Sequence, residues 1–222
     1  MIKVKEVLEH LVPGETVLIE HPSKVEPILL FYEIVTWAES KGYPVVIDDV
    51  LDTLYLYKRH LELAGKGNSL LDNAKVIKLG GRLNVGQVVG RVRVKDDPII
   101  FEQEYIKAFE SQLDEKNVII NPFLGFEKLF LIKEFRRDLW ARMYVPLSYI
   151  GDRRRIAFYF VNTDVVRSTA PEALPLLEEI ASTVFEVGIM KREEDAIGKI
   201  AYRFLITKSV NNELSGLEFA LV

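Results

Sequence analysis

The chain is predicted to fold as an α/β protein: a mostly parallel sheet with helices on both faces and antiparallel strands added at its C-terminal edge. Three observations predict this. From Thr16 onward, short apolar runs alternate with stretches of helical periodicity, the pattern of strands joined by crossover helices. The runs "PVVID" and "AKVIKL" are apolar almost throughout, as in strands covered on both sides. The end of the chain breaks the alternation, because "TVFEVGI", "KIAYRFLITKS" and "LSGLEFALV" are three β-like runs with no helical pattern between the last two. A length of 222 residues with 49% hydrophobic side chains can bury a sizeable core.

Taken in order, a short amphipathic helix, Val4 to Leu11, ends at the Pro13-Gly14 turn. The strand Thr16 to Glu20 leads through a polar bend into a helix that opens at Pro27, where the missing N–H is tolerated. Ile28, Leu29, Phe31, Tyr32, Val35 and Trp37 cover much of that helix's circumference, so it packs against the sheet. Gly42 stops it before the strand Pro44 to Asp48, and the helix Leu51 to Ala64 closes with Gly65. After the strand Ala74 to Leu79, the glycines and alternation of residues 80–97 predict a hairpin-like insertion. A helix Pro98 to Leu113, a strand Asn117 to Asn121, a long helix from Phe126 to about Tyr144, a strand Ile156 to Asn162 and a helix from near Pro171 complete the alternation. There is no repeat, low-complexity tract or interdomain linker, so residues 1–222 read as one domain.

Composition excludes several function classes. A net charge of -4 argues against nucleic-acid binding by charge alone, since that requires clustered Lys and Arg. The absence of cysteine removes disulfides, thiolate catalysis and cysteine-held metals. His10, His21 and His60 share no ligand spacing, so no His-rich metal centre is expected, and no cofactor is expected. The N-terminus mixes charge into its apolar pattern, unlike a secretory signal, and no uncharged run approaches the ~20 residues of a membrane span. A soluble cytoplasmic protein is expected, and 28% charged residues with no cysteine lean towards a thermophilic source.

The segment "TVLIEHPSKVEPILLFYEIVT" has the frame of a phosphate-binding loop: buried strand, bend, helix. Such a bend has glycines at its first and sixth positions and ends in Lys-Ser or Lys-Thr. Here His21 and Glu26 replace the glycines, Pro27 the lysine and Ile28 the hydroxyl residue. The element order resembles the RecA-like ATPases, and within them the KaiC branch. "PGETVLIE" resembles the lead-in to that branch's first strand, and "NVIIN" stands where its Walker B strand carries aspartate. "IAFYFVNTDV" resembles the next core strand, and "LLEEIASTVFEVGI" with "AYRFLITKS" resembles the late helix and strands. The chain is identified as similar to a small archaeal family of unknown function, of the Thermococcales type, that carries a degenerate KaiC-like domain. The resemblance implies a RecA-like sheet and self-association as a homo-oligomer, although rings of that kind use nucleotide at their interfaces.

Phosphate binding needs consecutive backbone N–H groups aimed at one anion, and glycine permits the conformation and the close approach. Pro22 and Pro27 remove donors, and Glu26 puts a carboxylate where phosphate would lie. Two like charges ~4 Å apart repel by about 4 kcal/mol at an effective dielectric of ~20. Ile28 supplies no hydroxyl for Mg²⁺, and Asn121 at the Walker B position lacks the charge that orients a metal. Lys24 is the remaining basic residue of the bend, and His21 with Glu20 and Glu26 forms a candidate acid–base cluster.

Other candidates lie elsewhere. Asp48, Asp49 and Asp52 fall at the carboxyl end of a strand, as a divalent-metal remnant or as caps of the next helix. Leu83, Val85, Val88 and Val89 form a candidate partner patch on the predicted insertion. Arg136, Arg137 and Arg142 on a helix, and Arg153, Arg154 and Arg155 before a strand, form two basic clusters with Trp140 and Tyr144 interleaved. The leading expectation is a noncatalytic RecA/KaiC-like module that binds an unidentified protein or peptide. The alternatives are a nucleotide- or phosphate-ester-binding enzyme using Asp48, Asp49 and His21, and a nucleic-acid-binding protein using the arginines.

Overall fold

A computed structural model describes residues 3–67, 69–94, 97–132, 139–189 and 202–221. Its strands are β1 (Thr16–His21), β2 (Val46–Val50), β3 (Lys75–Leu79), β4 (Gln87–Val92), β5 (Ile119–Leu124), β6 (Arg155–Asn162), β7 (Thr183–Ile189), β8 (Tyr202–Ser209) and β9 (Glu218–Leu221). They form one sheet in the order β4-β3-β2-β5-β6-β1-β7-β8-β9. Every pair from β4 to β7 is parallel, and β8 and β9 are antiparallel additions at one edge. The predicted fold class is the observed one.

Period-two side-chain placement sorts the core into two layers. On one face, Val17, Ile19, Ile47, Val76, Phe158 and Phe160 pack under helices α1 (Val4–Glu9), α2 (Ile28–Lys41), α3 (Thr53–Leu63) and α4 (Ser69–Asp72). Phe31 of α2 is fully buried there, with its ring edge-on to Tyr57 at 5.4 Å and Phe160 at 6.0 Å. On the other face, Leu18, Val46, Ile77, Phe123 and Tyr159 pack under α5 (Pro98–Glu110), a 3-10 helix (Phe126–Leu131), α6 (Leu139–Ser148), α7 (Thr163–Thr169) and α8 (Ala173–Ile180).

Two predicted elements differ from those observed. The described residues of 80–97 form no hairpin: Gln87–Val92 is β4, paired parallel to β3 with Lys75 opposite Gln87. Residues 80–86 therefore run back along β3 as an extended crossover with no helix, which the glycines and alternation mimic as a hairpin. Val85 is buried in the α2–α3 layer, and Gly90 lets α5 approach, since a Cβ there would lie 3.0 Å from the Ala108 Cβ. The long helix predicted from Phe126 begins instead as a 3-10 turn over Phe126–Leu131, and α6 starts at Leu139, with residues 133–138 outside the described ones. Helix α7 has no counterpart among the predicted elements; it is capped by the Asn162 side chain, which accepts from the N–H groups of Asp164 and Val165.

Candidate functional site

The site to test is the carboxyl edge of the central strands, where open α/β sheets bind ligands. β1 delivers the bend there, and α2 starts at Ile28 with Pro27 as its N-cap. Val25 and Ile28 turn into the core, while Lys24 is exposed. The bend closes on itself through a hydrogen bond from the Val25 N–H to the Pro22 carbonyl at 3.0 Å. The Ser23 N–H donates to a carboxylate oxygen of Asp164, at 2.8 Å, and the Ser23 hydroxyl donates to Asn162 at 3.1 Å. One N–H of the phosphate-loop frame thus already serves an anion, and the anion belongs to the protein. The bond from Ser23 also holds the Asp164 carboxyl below the usual range.

His21, Glu20 and Glu26 do not form an acid–base cluster. Burial pushes the His21 imidazole below its ordinary value. Glu26 pairs with His60 of α3, 3.1 Å away. Glu20 projects towards α8, where burial and then the nearby Glu178 push its carboxyl up to about 7.

Asp48 and Asp49 are also separated, because neighbours on a strand face opposite sides. Asp48, fully buried on the α5 face, accepts from the Asn121 amide at 2.7 Å and the Tyr105 hydroxyl at 3.1 Å. Burial moves its carboxyl to about 7 despite those bonds. Asn121 also donates to the Val46 carbonyl and accepts from Arg155 at 3.0 Å. β5 continues past it to Leu124, so Asn121 sits within the sheet rather than at its edge. Asp49, on the other face, accepts from the Leu54 N–H at 2.9 Å and is paired with Lys78 at 2.6 Å. Lys78, 1% exposed, also reaches Asp52 at 2.5 Å and the Leu83 carbonyl at 2.9 Å. Asp52 in turn accepts from the N–H groups of Arg82 and Leu83. These carboxylates bind the crossover 80–86 to the sheet, and no group of His, Asp or Glu among the described residues is arranged to hold a metal.

The basic and apolar candidates disperse as well. Arg154 is engaged by Asp152 and Glu110, while Arg155 lies inside the protein, 4.9 Å from the Tyr149 ring centroid. Arg153 remains exposed, and Arg136 and Arg137, with the Arg142 side chain, lie outside the described residues. In the predicted partner patch Val85 is core, Val88 is half-buried, and Leu83 and Val89 are exposed. Adjacent strand residues Val88 and Val89 point to opposite faces, so no continuous patch forms.

The sequence matches, over residues 6–219, the model of a family described as Pyrococcus protein of unknown function, DUF257. The chain belongs to this family. No match is found among the curated proteins. A solved protein of Pyrococcus horikoshii OT3, PH0250, is 33% identical to this DUF257 chain over 97% of this chain and 96% of that one, with a TM-score of 0.76. The KaiC-like protein PH0186 of the same organism superimposes with a TM-score of 0.59 at 15% identity, over 94% of this chain and 85% of that one. PH0321 of P. horikoshii, solved with an unknown peptide, gives 0.60 at 15% identity, over 93% and 89%. At these lower identities the likeness is one of fold, and this DUF257 chain has the KaiC-like, RecA-like architecture. No helix among its described residues is long and apolar enough to cross a membrane.

Two residues of this DUF257 chain matter more than their sequence context signals. Asp164 follows a strand in "VNTDV", in a stretch where no helix is predicted, and only the tertiary fold brings it to Ser23. Glu127 opens the 3-10 helix after β5, is 6% exposed, and has one carboxylate oxygen with no hydrogen-bond partner. Burial pushes its carboxyl up to about 7, against the pull of Lys128 and the backbone N–H groups of Glu127 and Asn162. The one sequence signal for it is an acid standing alone in the apolar run "FLGFEKLF" ahead of its lysine.

Proposed function

We propose that this protein is a noncatalytic RecA-like module that binds a protein or peptide partner. The observation that carries the reading is the Ser23–Asp164 hydrogen bond, which directs a protein carboxylate to the bend where a nucleotide phosphate would need free N–H groups. Pro27 in place of the lysine and the core-facing Ile28 support it, as both positions are spent on starting α2. The separation of Asp48 from Asp49, and the pairing of both, leave the phosphate-ester reading without a joint pair of acids.

For the partner, the reading is supported by a groove of about 330 Å³ between α6 and α8, with Leu147, Ile150, Leu176 and Ile180 as an apolar wall and Glu179 at its rim. That lining suits a peptide segment with apolar anchors and one basic residue opposite Glu179. The peptide bound by PH0321 is a property of that protein and lends precedent on a shared fold.

Calorimetric titration with Mg-ATP and Mg-ADP tests the first half, and no saturable heat is expected from the wild type. Saturable nucleotide binding refutes the reading. Selection from a displayed random-peptide library tests the second half, with enriched sequences carrying apolar anchors and a basic residue, and with Leu176→Asp abolishing their binding. A library that enriches nothing refutes the partner assignment.

A further inference from the structure

A second cleft, of about 600 Å³, opens at the carboxyl ends of β2, β3 and β4, away from the bend. We propose that it is a binding site for a small amphipathic anion: a ligand with one anionic head and an apolar body. The inference does not rest on the reading of the bend or of the α6–α8 groove.

Four features of the cleft point to this ligand. Its floor is apolar, formed by Leu51 and Val94. Gly80 keeps that floor open, because a Cβ there would lie 2.7 Å from Val94 Cγ2 and 3.0 Å from Leu51 Cδ2. Leu51 and Asp52 are the only non-glycine residues among those described that take positive φ, at 49° and 66°, and both line the cleft. Backbone in this sparsely populated region persists where the surroundings hold it, and it concentrates at ligand sites. The volume lies within the usual range for a small-molecule pocket.

Charge decides the head group. The acidic wall residue, Asp52, is consumed by Lys78 and by the N–H groups of Arg82 and Leu83. Arg93 is held at the rim by Glu104, 2.7 Å away. The Arg82 guanidinium is exposed and has no hydrogen bond or ion pair among the described residues. Its backbone is fixed by Asp52 while its fork remains available, so it can take a carboxylate or a phosphate in two parallel bonds. Nucleotide frames of this fold lie at the bend after β1; this cleft is on the other side of β2.

Calorimetry on the full chain with octanoate, octyl phosphate, octanamide and inorganic phosphate tests the proposal. Octanoate or octyl phosphate should bind saturably, and whichever binds more tightly identifies the head group. Octanamide should bind at least about tenfold more weakly, as should either anion with Arg82→Gln, reflecting a lost charge-assisted pair. Thermal unfolding of Arg82→Gln should match the wild type, since only an exposed side chain is altered. Equal binding of octanamide, affinity unchanged in Arg82→Gln, tight binding of inorganic phosphate alone, or no binding of either amphipathic anion at millimolar concentration would each overturn it.

Discussion

Replacing Glu127 with glutamine should stabilise the protein at high pH and leave it almost unchanged at low pH. Glu127 is 6% exposed at the carboxyl end of β5, and its carboxyl is raised from 4.5 to about 7, chiefly by burial. Its folded value lies above its unfolded one, so the stability tied to the protonated form is complete below about 4.5 and is lost as pH rises through about 7. A tenfold change in protonation equilibrium corresponds to about 1.4 kcal/mol, so forcing the charge onto this buried group costs the fold about 3 kcal/mol. The glutamine side chain keeps the shape of the glutamate and carries no charge. Urea unfolding of wild type and Glu127→Gln should therefore give nearly equal stabilities at about pH 4.5 and a gap approaching ~3 kcal/mol in favour of the variant at about pH 8.5. Glu20 and Asp48 also carry raised carboxyls, but they are present in both proteins and cancel from the difference. A gap that does not change with pH, or a variant less stable at high pH, would refute the reasoning. Glu127 would then be an ionised carboxylate well served by the N–H groups of Glu127 and Asn162.

Lys78→Met should cost about 3–5 kcal/mol in urea unfolding, because it leaves Asp49 buried beside no cation, and Lys78→Met with Asp49→Asn should recover part of that loss. The same single variant should speed amide exchange at Arg82 and Leu83, since the lysine anchors both Asp52 and the Leu83 carbonyl; unchanged exchange would mean that the crossover holds by itself. Gly81→Ala should cost at least about 1–2 kcal/mol, as the new Cβ would collide with the Asp52 side chain and φ is +75° there. A neutral result would show that the 80–86 crossover bends freely.

The legible part of the fold rests on local signals. Apolar runs bounded by glycine and proline locate β1 to β3, β5 and β6, and the pattern from Ile28 to Trp37 identifies α2 as a buried helix. The bend at His21 to Ile28 shows by residue type alone that the glycines, the lysine and the hydroxyl residue of a phosphate-binding loop are replaced. Other features mislead for physical reasons. In 80–97, glycine turns and alternating valines satisfy a hairpin and a parallel edge strand equally well, and only the pairing of Lys75 with Gln87 separates them. Asp48 and Asp49 look like one acidic site because adjacency in sequence hides the fact that strand neighbours face opposite layers. "GDRRRI" looks like one basic surface, yet its three arginines have three fates: one exposed, one in surface ion pairs, one in the core.

Residue types over short windows were enough to set most of the secondary elements, the parallel class of the sheet and the replacement of the phosphate-loop signature residues at the bend. Which charges are spent depends instead on how the chain closes in space. Asp164 reaches Ser23 across 141 positions, Lys78 ties Asp49 and Asp52 of the β2–α3 stretch to the Leu83 carbonyl of the crossover, and Glu127 becomes a buried acid only when Asn162 at the end of β6 and Tyr57 of α3 close near it. Hydrogen bonding and desolvation act through space over a few ångströms, and a chain folded into one sheet brings together groups that its order keeps far apart.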